Sequence, residues 1–138
     1  MEATKIKVST TINTDIEKVW NFWTNPEYIT QWNFAMDSWH CPEAKVNLQV
    51  GGKYYTRMEA KDGSFGFDFE AVYNEIKKND TITYTMTDGR KATTRFETEH
   101  QKTKVTTVFD AESSNPIAMQ RDGWQAILNN FKKFTETH

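Results

Sequence analysis

The sequence predicts an α+β domain in which a curved antiparallel sheet wraps around one long C-terminal helix, with two short helices after the first strand. Three observations carry this. One strand pattern, Lys5 to Ile12, precedes two short helical patterns. Alternating segments follow from about Val46 to Phe109, and an amphipathic helix opening near Ser114-Asn115-Pro116 closes the chain. A sheet that is apolar on one face must cover that face, and the closing helix is the only pattern long enough to do so. A curved sheet gripping one helix leaves space beside it, so the order of patterns points to an internal small-molecule pocket.

Each element has its own signal. Ile6, Val8, Thr10 and Ile12 share one face of the first strand, with Lys5, Lys7 and Ser9 on the other. Thr14-Asp15-Ile16-Glu17 has capping-box spacing, and Ile16, Val19, Trp20 and Trp23 recur at helical intervals. That helix stops at Asn25-Pro26, where Asn25 caps a second helix with Tyr28, Ile29 and Trp32 on its apolar side. From Asn33 to Pro42 the period is lost, which reads as an apolar loop. Val50-Gly51-Gly52-Lys53 reads as a tight turn or bulge.

The strands that follow are marked by alternation. Tyr54, Thr56 and Met58 face one way, and Lys61-Asp62-Gly63-Ser64 turns the chain toward Phe65, Phe67, Phe69 and Ala71. Near Val72 the apolar phase slips toward Ile76, which predicts a bulge. Ile82, Tyr84 and Met86 alternate cleanly with threonines. Asp88-Gly89 turns into Ala92, Thr94 and Phe96, and Val105, Thr107 and Phe109 mark the last strand. Connections this short force antiparallel neighbours. The final helix presents Ile117, Trp124, Ile127, Leu128, Phe131 and Phe134, and Gly123 within it suggests close approach of a neighbouring group.

Composition narrows the function. At 138 residues the chain is one domain, residues 1–138, able to bury roughly 70% of its unfolded surface. Hydrophobic residues are 37%, yet aromatics reach 14%, so the core rests on few, large, rigid side chains with gaps between them. A net charge of −2 with scattered basic residues argues against a nucleic-acid footprint. Cys41 is the only cysteine, which fits a reducing compartment. The start, Met1-Glu2-Ala3-Thr4-Lys5, lacks the apolar core of a leader, and no apolar run approaches the ~20 residues of a membrane helix. The expectation is a soluble, cytoplasmic protein without membrane insertion.

Ile16-Glu17-Lys18-Val19-Trp20, Asn25-Pro26-Glu27 with Trp32, Val50-Gly51-Gly52, Gly66-Phe67-Asp68-Phe69 and Asp122-Gly123-Trp124 recur in this order in a known family. The chain resembles, almost end to end, the single-domain proteins related to the C-terminal domain of the activator of the HSP-90 ATPase. These belong to the SRPBCC (START-like, birch-pollen-allergen-like) superfamily. The resemblance implies a helix-grip fold, with an antiparallel sheet of six to seven strands and an internal pocket. Two departures stand out. Asn47 and Gln49 occupy positions where relatives often carry an acidic and a basic residue. The chaperone activator also has a further N-terminal domain, for which this chain leaves no room.

The candidate ligand-binding residues are Trp32, Phe34, Trp39, Met58, Phe67, Phe69, Tyr84, Met86, Arg95 and Trp124. Met adapts to varied ligands and aromatic rings stack on planar ones, although any of these side chains also serves as ordinary core. Trp39 and Phe34 are expected at the entrance, with Phe67, Phe69 and Trp124 deeper. Tyr84, Arg95 or Arg121 could orient a polar group. Asp37, His40 and Cys41 share the apolar loop, but a Cys nucleophile needs a base and a lowered pKa, and neighbours in an extended chain point apart. No zinc spacing, phosphate-binding loop or nucleophile elbow occurs, so no cofactor or metal is expected.

The leading reading is a binding protein for a small apolar, aromatic or lipid-like molecule. One alternative is a polyketide cyclase or hydrolase type of enzyme in the same pocket, relying on a polar residue such as Asp37, Tyr84 or Arg95. The other, carried by the family resemblance alone, is a module that stimulates a chaperone ATPase. No charge run supplies a patch for a chaperone partner.

Overall fold

The computed structural model describes residues 4–138, so the first three residues of the polar start lie outside the described residues. The chain runs β1 (Lys5–Ile12), α1 (Ile16–Thr24), α2 (Pro26–Trp32), β2 (Trp39–Val46), β3 (Lys53–Ala60), β4 (Gly66–Lys77), β5 (Thr81–Met86), β6 (Lys91–Glu99), β7 (Lys102–Asp110) and α3 (Ile117–Thr137). All seven strands form one antiparallel sheet in the order β1-β7-β6-β5-β4-β3-β2. β1 returns to pair with β7, so β1 and β2, far apart in the sheet, are its two edges. This is the expected α+β helix-grip architecture.

Local chemistry sets the element boundaries. Asp15, rather than Thr14, caps α1 by accepting from the Lys18 N–H at 2.8 Å. Asn25 ends α1 and caps α2, its side chain accepting from the Glu27 N–H at 3.0 Å while Pro26 fills the first helical position. The turn before β3 requires glycine: a Cβ at Gly52 would lie 2.1 Å from the Asn47 carbonyl oxygen. The phase slip in β4 is a bulge. Tyr73 pairs with Tyr84 and Glu75 with Thr83, leaving Asn74 between them.

Two expectations need correction. The stretch from Asn33 to Pro42 is not a loop throughout, because β2 begins at Trp39 and pairs with β3. Pro42 lacks an N–H, and the register shifts between His40 and Glu43, so the alternation that marks a strand is broken. A proline is tolerated here because β2 is an edge. Gly123 admits no close neighbour; a Cβ built there has nothing within 4 Å. The buried face of α3 is Gln120, Leu128, Phe131, Phe134 and Thr135, and Ile117 is 36% exposed.

The core sits where the helices converge on the sheet. Trp23 stacks on Trp32 with ring centroids 5.0 Å apart, and Phe131 meets Trp32 edge-on at 4.8 Å. Trp20 meets Phe96 of β6 at 5.3 Å. Aromatic pairs of this kind each add about 0.5–1.5 kcal/mol beyond area burial, which makes this end of the molecule solid.

Candidate functional site

The helices brace the sheet from its margins. α3 packs mainly on β1 and α2 on β2, the two edge strands, while α1 rests on β6 and β7. The concave face of β3, β4 and β5 is therefore spanned by helices instead of being filled by them. A cavity of about 300 Å³ remains between sheet and helices.

The wall supplied by the sheet follows from strand alternation. Tyr54, Thr56 and Met58 of β3 point inward together, joined by Phe69 of β4, Tyr84 of β5, Thr94 of β6 and Thr107 of β7. Tyr54 stacks on Tyr84 with centroids 5.5 Å apart, and Phe69 meets both rings edge-on. Burial pushes the Tyr54 and Tyr84 phenols well above their ordinary range, with neighbouring tyrosines adding to the effect. Both stay neutral hydroxyls, not phenolates.

The opposite wall is apolar and comes from Trp23, Trp32, Trp124, Ile127 and Leu128. Trp124 lies flat on Phe109 of β7, with centroids 3.8 Å apart and planes at 11°, which fixes its indole as a rigid surface. The Trp32 indole N–H is already donated to the Phe22 carbonyl at 3.0 Å.

One end of the cavity is polar. Arg90 lines it while donating from Nε to Asp88 at 2.7 Å and from Nη1 to the Asp110 carbonyl at 3.3 Å. Gln120 holds the connection between β7 and α3. Its Oε1 accepts from the Glu112 N–H at 2.9 Å and its Nε2 donates to the Asn115 carbonyl at 2.8 Å. The Thr94 and Thr107 hydroxyls bond to each other at 2.8 Å, and the Thr56 hydroxyl is buried without a partner.

Of the residues singled out from sequence, Trp32, Met58, Phe67, Phe69, Tyr84 and Trp124 border the cavity; Phe34, Trp39, Met86 and Arg95 do not. Phe67 is 42% exposed, so it stands at the rim and not in the depth. There it meets Trp39, whose ring lies 6.0 Å away and also contacts Phe65. Met86 is packed in the core. Arg95 is exposed on the outer face, because its neighbours Thr94 and Phe96 take the inward positions of β6. Arg121 is exposed as well. The cationic lining residue is Arg90, which the turn after β5 delivers and no alternation reveals. Tyr54 was legible as the face-mate of Met58. Gln120 and Glu112 carried no sequence signal, since their role depends on how α3 leaves the sheet.

The thiol of Cys41 is buried in β2, and that burial pushes its pKa up to about 11. It is protonated near neutrality and donates to the Glu43 carbonyl at 3.5 Å. His40 turns instead toward Glu59 on β3, 3.5 Å away. The arrangement brings no base to the thiol. Among the described residues no trio of His, Cys, Asp or Glu is placed to hold a metal ion, and no helix is long and apolar enough to cross a membrane.

The profile of the family described as Activator of Hsp90 ATPase homolog 1-like protein matches residues 13–136. The chain belongs to this family. Among solved structures, the AHSA1-like protein from Aeromonas hydrophila is 40% identical, with a TM-score of 0.92 over 97% of this chain and 93% of that one. A protein from Cytophaga hutchinsonii is 47% identical, with a TM-score of 0.84 over 96% and 92%. One from Chromobacterium violaceum is 19% identical yet has a TM-score of 0.84 over 96% and 98%, a likeness of fold alone. No curated protein matches this family member by sequence.

Proposed function

We propose that the protein binds a small, largely apolar aromatic molecule in the cavity between sheet and helices. The observation that carries this is a preformed space of about 300 Å³ walled by Trp23, Trp32, Tyr54, Phe69, Tyr84 and Trp124. Natural ligand pockets are of this kind: concave, mainly apolar, with a few placed polar groups. An apolar cavity of about 150 Å³ accepts one benzene ring. Twice that volume suits two fused or linked rings, whereas a four-ring sterol is too large. Binding comes from burying ligand surface against rigid rings, with the hydroxyls of the sheet wall setting orientation.

The test is a thermal-shift panel of two-ring aromatics, fatty acids and sterols. A ligand at a hundred times its dissociation constant adds about 2.7 kcal/mol, which raises the melting point by several degrees. Two-ring compounds are expected to give shifts that Phe67→Ala diminishes. Phe67 is 42% exposed at the rim, so each ligand shift in Phe67→Ala is read against that variant's own ligand-free melting point. Incubation of each binder, followed by product analysis, separates a carrier from a cyclase or hydrolase. A panel without shifts would remove the small-molecule reading and leave the chaperone-partner alternative to be tested by an ATPase assay.

A further inference from the structure

The two walls of the cavity are chemically unlike. The helix side offers rings and aliphatic groups, and its Trp32 N–H is already spent on Phe22. The sheet side carries hydroxyls from both tyrosines and from Thr56, Thr94 and Thr107. These threonines are only 1%, 6% and 4% exposed, at inward strand positions where valine has the same shape. Their protons are not all accounted for within the protein. The bond between Thr94 and Thr107 uses one of their two hydroxyl protons, and Thr56 Oγ1 has no partner at all. Buried hydroxyls without an acceptor are costly, and a hydrocarbon ligand would leave them so.

We propose that the ligand is an oxygenated aromatic compound whose neutral carbonyl or ether oxygen accepts hydrogen bonds from the threonine hydroxyls of the sheet wall. This rests on the reading of the cavity as a small-molecule site. A rotation of about 120° around χ1 carries the Thr56 hydroxyl to another staggered position, so it turns toward an acceptor when one arrives. The oxygen is neutral because the cation on the lining, Arg90, is already held by Asp88 and the Asp110 carbonyl, and the carboxylate of Glu112 lies on the same lining. An anionic head would meet that carboxylate without an unpaired cation to offset it.

The test uses two probes of equal shape, 2-acetylnaphthalene and 2-isopropenylnaphthalene, titrated calorimetrically into the wild-type protein, Thr56→Val and the double variant Thr94→Val, Thr107→Val. Loss of one hydrogen bond weakens the ketone about three- to tenfold. The hydrocarbon's affinity holds or rises. Thr56→Ser keeps the hydroxyl and retains the ketone's affinity, which separates loss of the hydrogen bond from disturbed packing. If the valine variants shift both probes equally, the hydroxyl assignment is overturned. If neither probe binds the wild-type protein, the small-molecule reading itself fails.

Discussion

Thr56→Val should make the free protein more stable. Thr56 lies mid-strand in β3, between Phe69 of β4 and Ala44 of β2, and is 1% exposed. Its hydroxyl has no hydrogen-bond partner. Valine replaces that hydroxyl with a methyl in the same branched shape, so strand preference and packing change little. An unsatisfied buried hydroxyl costs about 1–3 kcal/mol, and part of that is recovered by relaxation, which leaves an expected gain of about 1–2 kcal/mol. With an unfolding entropy of about 2.1 cal/mol/K per residue over 138 residues, each kcal/mol moves the melting point by about 3 °C. The rise should thus be about 3–7 °C by calorimetry, with an unchanged denaturant m-value. A fall in stability would refute the reasoning, because it would mean that the hydroxyl finds an acceptor in solution. A gain in stability together with a loss of ketone affinity would mark Thr56 as a site where stability is given up for binding.

Gly123→Ala should add about 0.5–1 kcal/mol, since a helix-interior glycine with open space around it loses only backbone entropy; a urea titration checks this. His100 and Gln101 both adopt positive φ, 50° and 68°, in the two-residue turn between β6 and β7, so replacing them with Asn-Gly should raise the melting point by relieving about 1 kcal/mol of strain. Cys41 should resist alkylation at pH 8 in the native state and react only in denaturant, because burial both shields the thiol and keeps it protonated. Lys5 and the Lys91 N–H hold the Asp110 carboxyl below its ordinary value of about 3.9. Its contribution is full above that value and lost as pH falls through the folded value. Asp110→Asn should therefore lower the melting point at pH 7 and flatten the acid side of the stability profile.

The architecture was legible because most elements obey one period throughout. The alternation of β1, β5 and β7 and the Asn25-Pro26 start of α2 are properties of neighbouring residues. β2 escaped because Pro42 and the register shift beside it destroy the alternation that defines a strand. The cavity's location could be inferred from a long helix over a curved sheet, but its lining could not be read in full. Strand phase identifies Tyr54, Thr94 and Thr107 as inward residues. It also places Arg95 outward, once Thr94 and Phe96 are recognised as facing the core. Arg90, Glu112 and Gln120 depend on the paths of two connections, which no periodicity records. Phe67 has the same phase as Phe69, yet it stands at the rim, beside the first residue of β4.

The account's central claim is that this space takes up a small aromatic molecule. Its most direct test is a titration of 2-acetylnaphthalene followed by 1H–15N correlation spectroscopy, including the tryptophan indole signals. Shifts should concentrate on Thr56, Tyr84, Thr94, Thr107 and Trp124 and leave exposed outer-face residues such as Arg95 unmoved. Saturation with no change at those lining residues, or with shifts confined to the outer face, would contradict it.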